Sequence, residues 1–228
     1  MKEALRSLLA RPDLWLGGRT EESRGAAVLP TGIAALDALL PGGGFPLGAV
    51  TEVLLPQEGI GELRLLVPAL AAQSRQGLWV AWIDPPHVPY APALAAMGVR
   101  LSRVLLVSAT TDRDRLWAAG QCLRSGACGA VLAWPGECDD RALRRLQLAA
   151  GKGGGLGVLF RFRAERAAAR PSHAALRLRL VPSPRGAVVE IVKGRGGAGR
   201  SAEVPFPAPG PRAETAPGDR RRPLAFSL

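Results

Sequence analysis

An α/β fold with a mostly parallel central sheet, flanked by helices and followed by an antiparallel hairpin, is predicted by two features of the sequence. Between residues 50 and 162, short and almost entirely apolar segments alternate with longer amphipathic ones. Strands of a parallel sheet have this composition because helices cover both of its faces. Beyond residue 175, apolar and basic residues alternate strictly, which is typical of an antiparallel strand with one solvated face.

The first part of the sheet is predicted from three apolar runs: Val50–Leu55, Leu78–Ile83 and Val104–Ser108. A helix over Glu62–Arg75 joins the first two, and Pro68 is expected to kink it because proline removes a helical hydrogen bond. A shorter helix over Pro89–Met97, ended by Gly98, leads to the third run.

Two further apolar strands are expected: Gly129–Trp134 and Leu156–Phe162. Asp112 is placed to cap a helix over Arg113–Ser125, and Asp139 or Asp140 to cap a helix over Arg141–Ala150. These elements complete a pattern in which a helix lies between each of these five strands and the next. The order of elements therefore favours a parallel sheet covered on both faces.

The hairpin is predicted from two strands, Leu176–Val181 and Ala187–Lys193, with a turn between them. In the first strand the leucines are expected on the core face, with Arg177 and Arg179 on a solvated basic face. We divide the chain into an N-terminal helix and linker (1–27), one α/β domain (28–206) and a proline- and arginine-rich tail expected to be disordered (207–228).

Positive charge is concentrated in one part of the chain. The net charge is +11, yet residues 141–200 hold 14 lysines and arginines against two acidic residues. This asymmetry indicates an acidic partner, most often nucleic acid, although an arginine-rich solvated surface is the alternative. No apolar run reaches membrane-spanning length and the N-terminus is too charged for a signal peptide, so we expect a cytoplasmic protein without a membrane partner.

Cysteine and histidine residues are few and widely spaced. Three cysteines (Cys122, Cys128 and Cys138) match no zinc pattern, and the two histidines, His87 and His173, lie far apart in sequence. We expect no metal site, no histidine-based catalytic triad and thiols that serve as small core residues.

The loop Pro56–Leu63 (PQEGIGEL) lies between a predicted strand and a predicted helix, where a phosphate-binding loop belongs. Gly59 and Gly61 supply backbone flexibility. In the pattern G-x-x-x-x-G-K-[ST], however, Pro56 replaces the first glycine, Glu62 the lysine and Leu63 the hydroxyl residue. A carboxylate in place of an ammonium repels phosphate, so we expect no ATPase activity and no nucleotide cofactor. From these residues alone, an ordinary strand–helix turn is the alternative.

The segment before this loop resembles the entry to the core of RecA-type recombinases. The matching residues are Thr31, Gly32, Leu36, Asp37, Gly42, Gly43, Gly44, Pro46, Gly48 and Glu52. Later segments, Val80–Asp84, Met97–Arg100 and Glu190–Arg195, are similar to further parts of that core. The resemblance implies a RecA-like P-loop core over about residues 28–206.

Within that superfamily, the run Gly59–Leu63 in place of G-K-T resembles the ImuA family, also described as SulA-like. The resemblance implies a non-catalytic accessory protein of SOS-type mutagenic translesion DNA synthesis, nucleoid-associated on DNA damage. Its partners would be an ImuB-like relative of Y-family polymerases, RecA and an error-prone DnaE-type polymerase. An atypical RecA-like ATPase that binds DNA and a SulA-like inhibitor of cell division are the alternatives.

Candidate contacts follow from charge and amphipathicity. Non-specific DNA contact is expected at six arginines, which are Arg161, Arg163, Arg166, Arg170, Arg177 and Arg179. Partner contact is expected at apolar residues of both ends of the chain, which are Leu5, Leu8, Leu9, Trp15, Leu224, Phe226 and Leu228. The alternatives are solvated arginines, N-terminal leucines that pack on this chain's own core, and a tail without a binding role.

Overall fold

Eight strands form one central sheet in the computed structural model, which describes residues 27–162, 172–195 and 197–206. The strands in chain order are β1 (Val28–Leu29), β2 (Phe45–Pro46), β3 (Ala49–Leu55), β4 (Trp79–Ile83), β5 (Val104–Val107), β6 (Cys128–Ala133), β7 (Leu156–Phe162), β8 (Leu176–Ser183), β9 (Gly186–Lys193) and β10 (Ser201–Pro205). The first two pair with each other, and the other eight form the sheet in the order β10-β9-β8-β3-β7-β6-β4-β5.

Helices connect the parallel strands. The α-helices are α1 (Ala34–Leu39), α2 (Val67–Arg75), α3 (Ala91–Ala96), α4 (Asp112–Arg124) and α5 (Asp140–Gly153). Two short 3₁₀ segments cover Glu62–Leu65 and Leu101–Arg103. No helix within the described ranges has the length and apolar character that crossing a membrane requires.

Most strand pairs of the sheet are parallel. The parallel pairs are β3–β7, β3–β8, β4–β5, β4–β6 and β6–β7. The predicted mixed α/β fold with a mostly parallel central sheet is therefore confirmed. At the other end of the sheet, β8 pairs antiparallel with β9 and β9 with β10. The sequence analysis did not predict β10.

The sheet separates two hydrophobic cores. Leu36 of α1 and Leu70 of α2 pack on one face, against residues such as Phe160 of β7. Leu123 of α4 and Leu146 of α5 pack on the other face. Both faces of the central strands are thus buried, which explains why their sequences are apolar throughout.

Three local predictions need correction. No continuous helix covers 62–75, because the 3₁₀ segment ends at Leu65 and α2 begins at Val67, with Pro68 in its first turn, where no proline kink is needed. Thr111 rather than Asp112 caps α4, since its side chain accepts the N–H of Asp114. Asp139, one of the two residues expected to cap this helix, does cap α5, but the helix continues to Gly153 instead of ending at Ala150.

Candidate functional site

The loop of residues 56–61 lies at the carboxyl end of β3, in the middle of the sheet. The strands that follow β3 in the chain, from β4 to β7, all lie on one side of β3 in the sheet, whereas β8 lies on its other side. The direction in which strands are added to the sheet therefore reverses at β3. Open α/β sheets bind ligands in the crevice at such a reversal. The loop therefore occupies the expected place for a ligand site, whatever its own chemistry.

The backbone of this loop turns at its two glycines. Gly59 has φ +75° and Gly61 has φ +91°, in the left-handed region that favours glycine. Glu62 follows in the short 3₁₀ segment, and the next α-helix, α2, begins only at Val67. The aligned N–H groups and dipole of an α-helix, which favour a bound phosphate, are therefore displaced from the loop.

An aromatic ring from the end of β10 covers the loop. A Cβ atom added to Gly61 would lie only 2.4 Å from Cε2 of Phe206, so the ring packs directly on this glycine. The Arg64 guanidinium lies 5.1 Å from the ring centroid, within the range of a cation–π contact. The Phe206 N–H also donates to the Arg185 carbonyl oxygen. Neither β10 nor this contact was predicted from the sequence.

The residues that replace the lysine and hydroxyl turn toward the protein. Glu62 is only 7% exposed, and its Oε2 atom has no hydrogen-bond partner among the described residues. Leu63 and Ile60 pack against the core, whereas Pro56 and Gly59 are exposed. Residues 56–63 include no lysine or arginine, so this segment itself supplies no cationic side chain to the loop.

Aromatic residues occupy the end of the neighbouring strands. Trp134 directly follows β6 and stacks between Trp82 of β4 and Phe160 of β7, with ring centroids 5.8 Å and 4.6 Å away. P-loop enzymes place a metal-holding acid near this point. Trp134 is 6% exposed, and the described residues contain no group of three or more His, Cys, Asp or Glu side chains that could hold a metal.

A salt-bridge cluster joins the carboxyl ends of β4 and β6, and the sequence analysis did not identify it. The Arg115 guanidinium contacts Asp84, which follows β4, and lies 2.9 Å from Oδ1 of Asp112. Asp112 also accepts the N–H groups of Gly136 and Glu137, beyond β6. Burial opposes the charge of Asp112, but these hydrogen bonds outweigh it and hold its pKa below the usual value.

On the same face as α5, a buried ion pair links β3 to β8. Nε of Arg177 lies 2.8 Å from Oε2 of Glu52, and both side chains are at most 6% exposed. Ser172 donates to the same carboxylate, and Lys193 donates to the Ser172 carbonyl oxygen. Burial and the Arg177 charge lower the pKa of Lys193, against the opposing effect of Glu52. The expectation that Arg177 lies on a solvated face is therefore wrong, because Glu52 pairs with it inside the protein.

The other predicted DNA-contacting arginines are only partly described. Arg161 is half-buried and donates to the Cys138 carbonyl oxygen at 3.4 Å, and Arg179 pairs with Glu190 at 3.1 Å. Burial raises the pKa of the neighbouring Cys138 thiol to about 11, which Arg161 opposes. The remaining candidate residues lie outside the described ranges, and these are Leu5, Leu8, Leu9, Trp15, Arg163, Arg166, Arg170, Leu224, Phe226 and Leu228.

A known domain family covers the loop after β3 and much of the site around it. A family model described as the MT3502 N-terminal domain matches residues 38–159, more than half of the chain. The chain belongs to the MT3502 N-terminal domain family. The matched range includes β3 with its loop, Trp82, Trp134 and the Asp84–Arg115–Asp112 cluster.

Proteins named RecA are among the curated relatives that this chain resembles. Protein RecA of Streptococcus pyogenes is 32% identical over 117 residues, which cover 51% of this chain and 30% of that RecA. Protein RecA of Oceanobacillus iheyensis is 34% identical over 106 residues, 46% of this chain and 30% of its own length. The match thus spans about a third of these relatives. The MT3502 domain of this chain is RecA-like.

Proposed function

We propose that this chain is an ImuA-like, non-catalytic accessory protein of mutagenic translesion DNA synthesis. Its RecA-like domain would link RecA or DNA to a complex of an ImuB-like protein and an error-prone DnaE-type polymerase. The observation that carries the proposal is the loop after β3, in which Phe206 packs on Gly61 and Glu62 is buried at the lysine position. A domain that retains this architecture without nucleotide-binding groups is suited to binding proteins.

Electrostatics support the absence of nucleotide turnover. A phosphate-binding loop neutralises the β- and γ-phosphates with a lysine and surrounds them with backbone N–H groups. Here Glu62 replaces the positive charge with a carboxyl group, and Glu58 adds a second one in the same loop. Two like charges 4 Å apart repel by about 4 kcal/mol at an effective dielectric of 20, so close approach of a triphosphate is disfavoured.

The stacked aromatic residues also support the absence of nucleotide turnover, because they leave no place for a catalytic Mg²⁺ at these strand ends. Holding Mg²⁺ requires oxygen ligands such as carboxylates, usually with bound water. Trp134 and Phe160 fill the strand ends with rings whose centroids are 4.6 Å apart, which leaves an apolar surface there. Phosphoryl transfer depends on such a metal to neutralise developing charge.

The motif residues that carry the RecA resemblance have structural roles here. The Thr31 N–H donates to Oδ1 of Asp37 at 2.8 Å, and Glu52 pairs with Arg177 in the interior. A Cβ atom at Gly44 would lie 2.4 Å from the Leu29 carbonyl oxygen, so only glycine fits there. Each of these contacts stabilises the domain and needs no nucleotide. They support a RecA-like core that is retained for its shape.

An ATPase assay tests the non-catalytic part of the proposal. We expect no release of phosphate from Mg²⁺-ATP by this chain, with or without single-stranded DNA, under conditions in which a RecA protein gives steady turnover. DNA-stimulated hydrolysis that copurifies with the chain and is abolished by Glu62→Ala would contradict the proposal and support an atypical ATPase instead.

Copurification tests the scaffold part of the proposal. The tagged full chain, coexpressed with the ImuB-like protein of the same genome, should retain that protein on an affinity column. A second chain that ends at residue 206 tests whether the tail contributes to this contact. Failure of both chains to retain the ImuB-like protein, together with division arrest on overexpression, would favour the SulA-like alternative.

A further inference from the structure

A pocket opens at the amino-terminal ends of β3 and β8, away from the loop. Its volume is about 600 Å³, and Ala49 and Leu176, the first residues of these strands, line it. The loop follows β3 at its other end, and seven extended residues span about 20 Å. The pocket is therefore a site of its own, and a ligand in it would not contact Gly61 or Glu62.

The pocket walls combine an apolar surface with a group of cationic side chains. Val28, Leu47 and Leu176 contribute apolar surface, whereas Lys193, Arg195 and His173 contribute basic groups. Within the described parts of the chain, no acidic side chain lines this pocket. An anion in the pocket would therefore meet several donors and no carboxylate.

Neighbouring groups add to the positive character of the pocket. Burial and the nearby Arg177 charge lower the pKa of the Lys193 ammonium group, and the Glu52 carboxylate, which opposes this shift, is already paired with Arg177. Gln147 also lines the pocket, and its Oε1 atom accepts the Val50 N–H, which leaves the side-chain N–H groups as donors. An incoming anion would relieve the repulsion between the cations.

We propose that this pocket binds the phosphate group of a phosphate ester, with Lys193 and Arg195 contacting the phosphate oxygens. A doubly charged phosphate monoester matches two or more cations better than a single carboxylate does, and arginine can bind it through two N–H groups. The organic part of the ligand lies on the apolar wall. The volume falls within the range of small-molecule sites and accommodates a mononucleotide, either free or at the 5′ end of a DNA strand.

Binding measured by calorimetry without Mg²⁺ tests this proposal on the full chain. The probes are AMP, adenosine, and an oligothymidylate with either a 5′ phosphate or a 5′ hydroxyl group. The variant K193A/R195A removes the proposed contacts. The variant R124A/R144A removes the same charge from exposed positions on α4 and α5 and serves as the matched control. Should K193A/R195A fail to fold, K193Q/R195Q retains most of the side-chain length.

We expect AMP to bind at least tenfold more tightly than adenosine, with at least a tenfold loss in K193A/R195A and less than a twofold change in the control. If only the 5′-phosphorylated oligonucleotide shows this dependence, the ligand is a DNA end and the proposal stands. Binding that ignores the phosphate, binding unchanged in K193A/R195A, or no binding of any probe overturns it. A nucleotide bound at the loop of residues 56–61 would instead require Mg²⁺ and would be insensitive to K193A/R195A. Such binding would contradict the proposed non-catalytic function, whereas the outcomes named above contradict the phosphate pocket, so the two proposals fail in different ways.

Discussion

At the scale of single residues, Gly59 and Gly61 share a backbone conformation but differ in their surroundings. A Cβ atom at Gly59 would meet nothing within 4 Å, whereas one at Gly61 would meet the Phe206 ring. We expect Gly59→Ala to cost about 1–2 kcal/mol of unfolding free energy, from left-handed strain. Gly61→Ala should cost about 3 kcal/mol, because the ring must also move. Urea denaturation measures both values.

A double-mutant cycle separates the two causes. In Gly61→Ala/Phe206→Ala the clash is removed, so the cost should be at least 1 kcal/mol smaller than the sum of the single costs. The matched pair Gly59→Ala/Phe206→Ala should be additive within about 0.5 kcal/mol. Additivity in both pairs would mean that Phe206 does not pack on Gly61.

The buried pair of Glu52 and Arg177 permits a second prediction at this scale. Arg177→Met leaves a buried carboxylate without its cation, which should lower the unfolding free energy by about 3–5 kcal/mol. The double variant Glu52→Leu/Arg177→Met removes both charges and should recover most of that loss. Urea denaturation of both proteins checks this, and equal destabilisation of the two would show that the charges are not paired.

Arg177 also shows where the sequence was insufficient. Alternation in Leu176–Val181 correctly indicated that Leu176, Leu178 and Leu180 face the core. It could not indicate what lies on the other face, because Glu52 is 125 positions earlier and becomes a neighbour only through the parallel pairing of β3 with β8. The pairing of Arg179 with Glu190 likewise depends on the register of β8 with β9.

At the scale of elements, strands were easier to predict than helix ends. The run Leu156–Phe162 was predicted with its observed bounds, since its first five residues are buried and apolar on both faces of the sheet. Strand β10 (Ser201–Pro205) has only one fully buried residue, Val204, so its composition carries no strand signal. It forms because β9 offers a free edge, and it brings Phe206 to the loop. The part of the candidate site that depends on Phe206 was therefore invisible in the sequence.

The Asp112 cluster permits a prediction about how elements are held together. Asp112 in the first turn of α4 binds the segment after β6, and its pKa is lowered there. Stability from such a carboxylate is present above its unfolded pKa of about 3.9 and is lost as pH falls through the lower folded value. We expect Asp112→Asn to cost about 1 kcal/mol at pH 7, after allowance for partial exposure.

The difference in unfolding free energy between Asp112→Asn and the unchanged protein should then shrink between about pH 5 and pH 2, as the Asp112 carboxylate of the unchanged protein is protonated. Thermal denaturation over this pH range measures it. The matched control is Asp140→Asn, which removes an exposed carboxylate from the first turn of α5 and should change stability by less than about 0.5 kcal/mol. A pH-independent difference for Asp112→Asn would contradict the assigned role of its charge.

At the scale of the whole molecule, the uneven charge distribution remains the main indication of an acidic partner. In the basic third of the chain, residues 141–200, two of the described arginines form ion pairs within the protein: Arg177 with Glu52 and Arg179 with Glu190. Of the six arginines predicted to contact DNA, this leaves Arg161 and the three that follow β7 in the sequence. Composition predicted a basic region, but the internal pairs reduce the number of charges that are available to a phosphate backbone.

This leads to the last prediction, which concerns binding of single-stranded DNA by the whole chain. We expect weak, sequence-independent binding whose affinity falls steeply with salt, because phosphate contacts release counterions. Replacing Arg161, Arg163, Arg166 and Arg170 with alanine together should weaken binding at least tenfold and reduce the salt dependence measured by fluorescence anisotropy. The control replaces four exposed arginines outside the basic third, which are Arg75, Arg100, Arg113 and Arg124. Equal affinities for the two variants would show that net charge, rather than the segment after β7, determines binding.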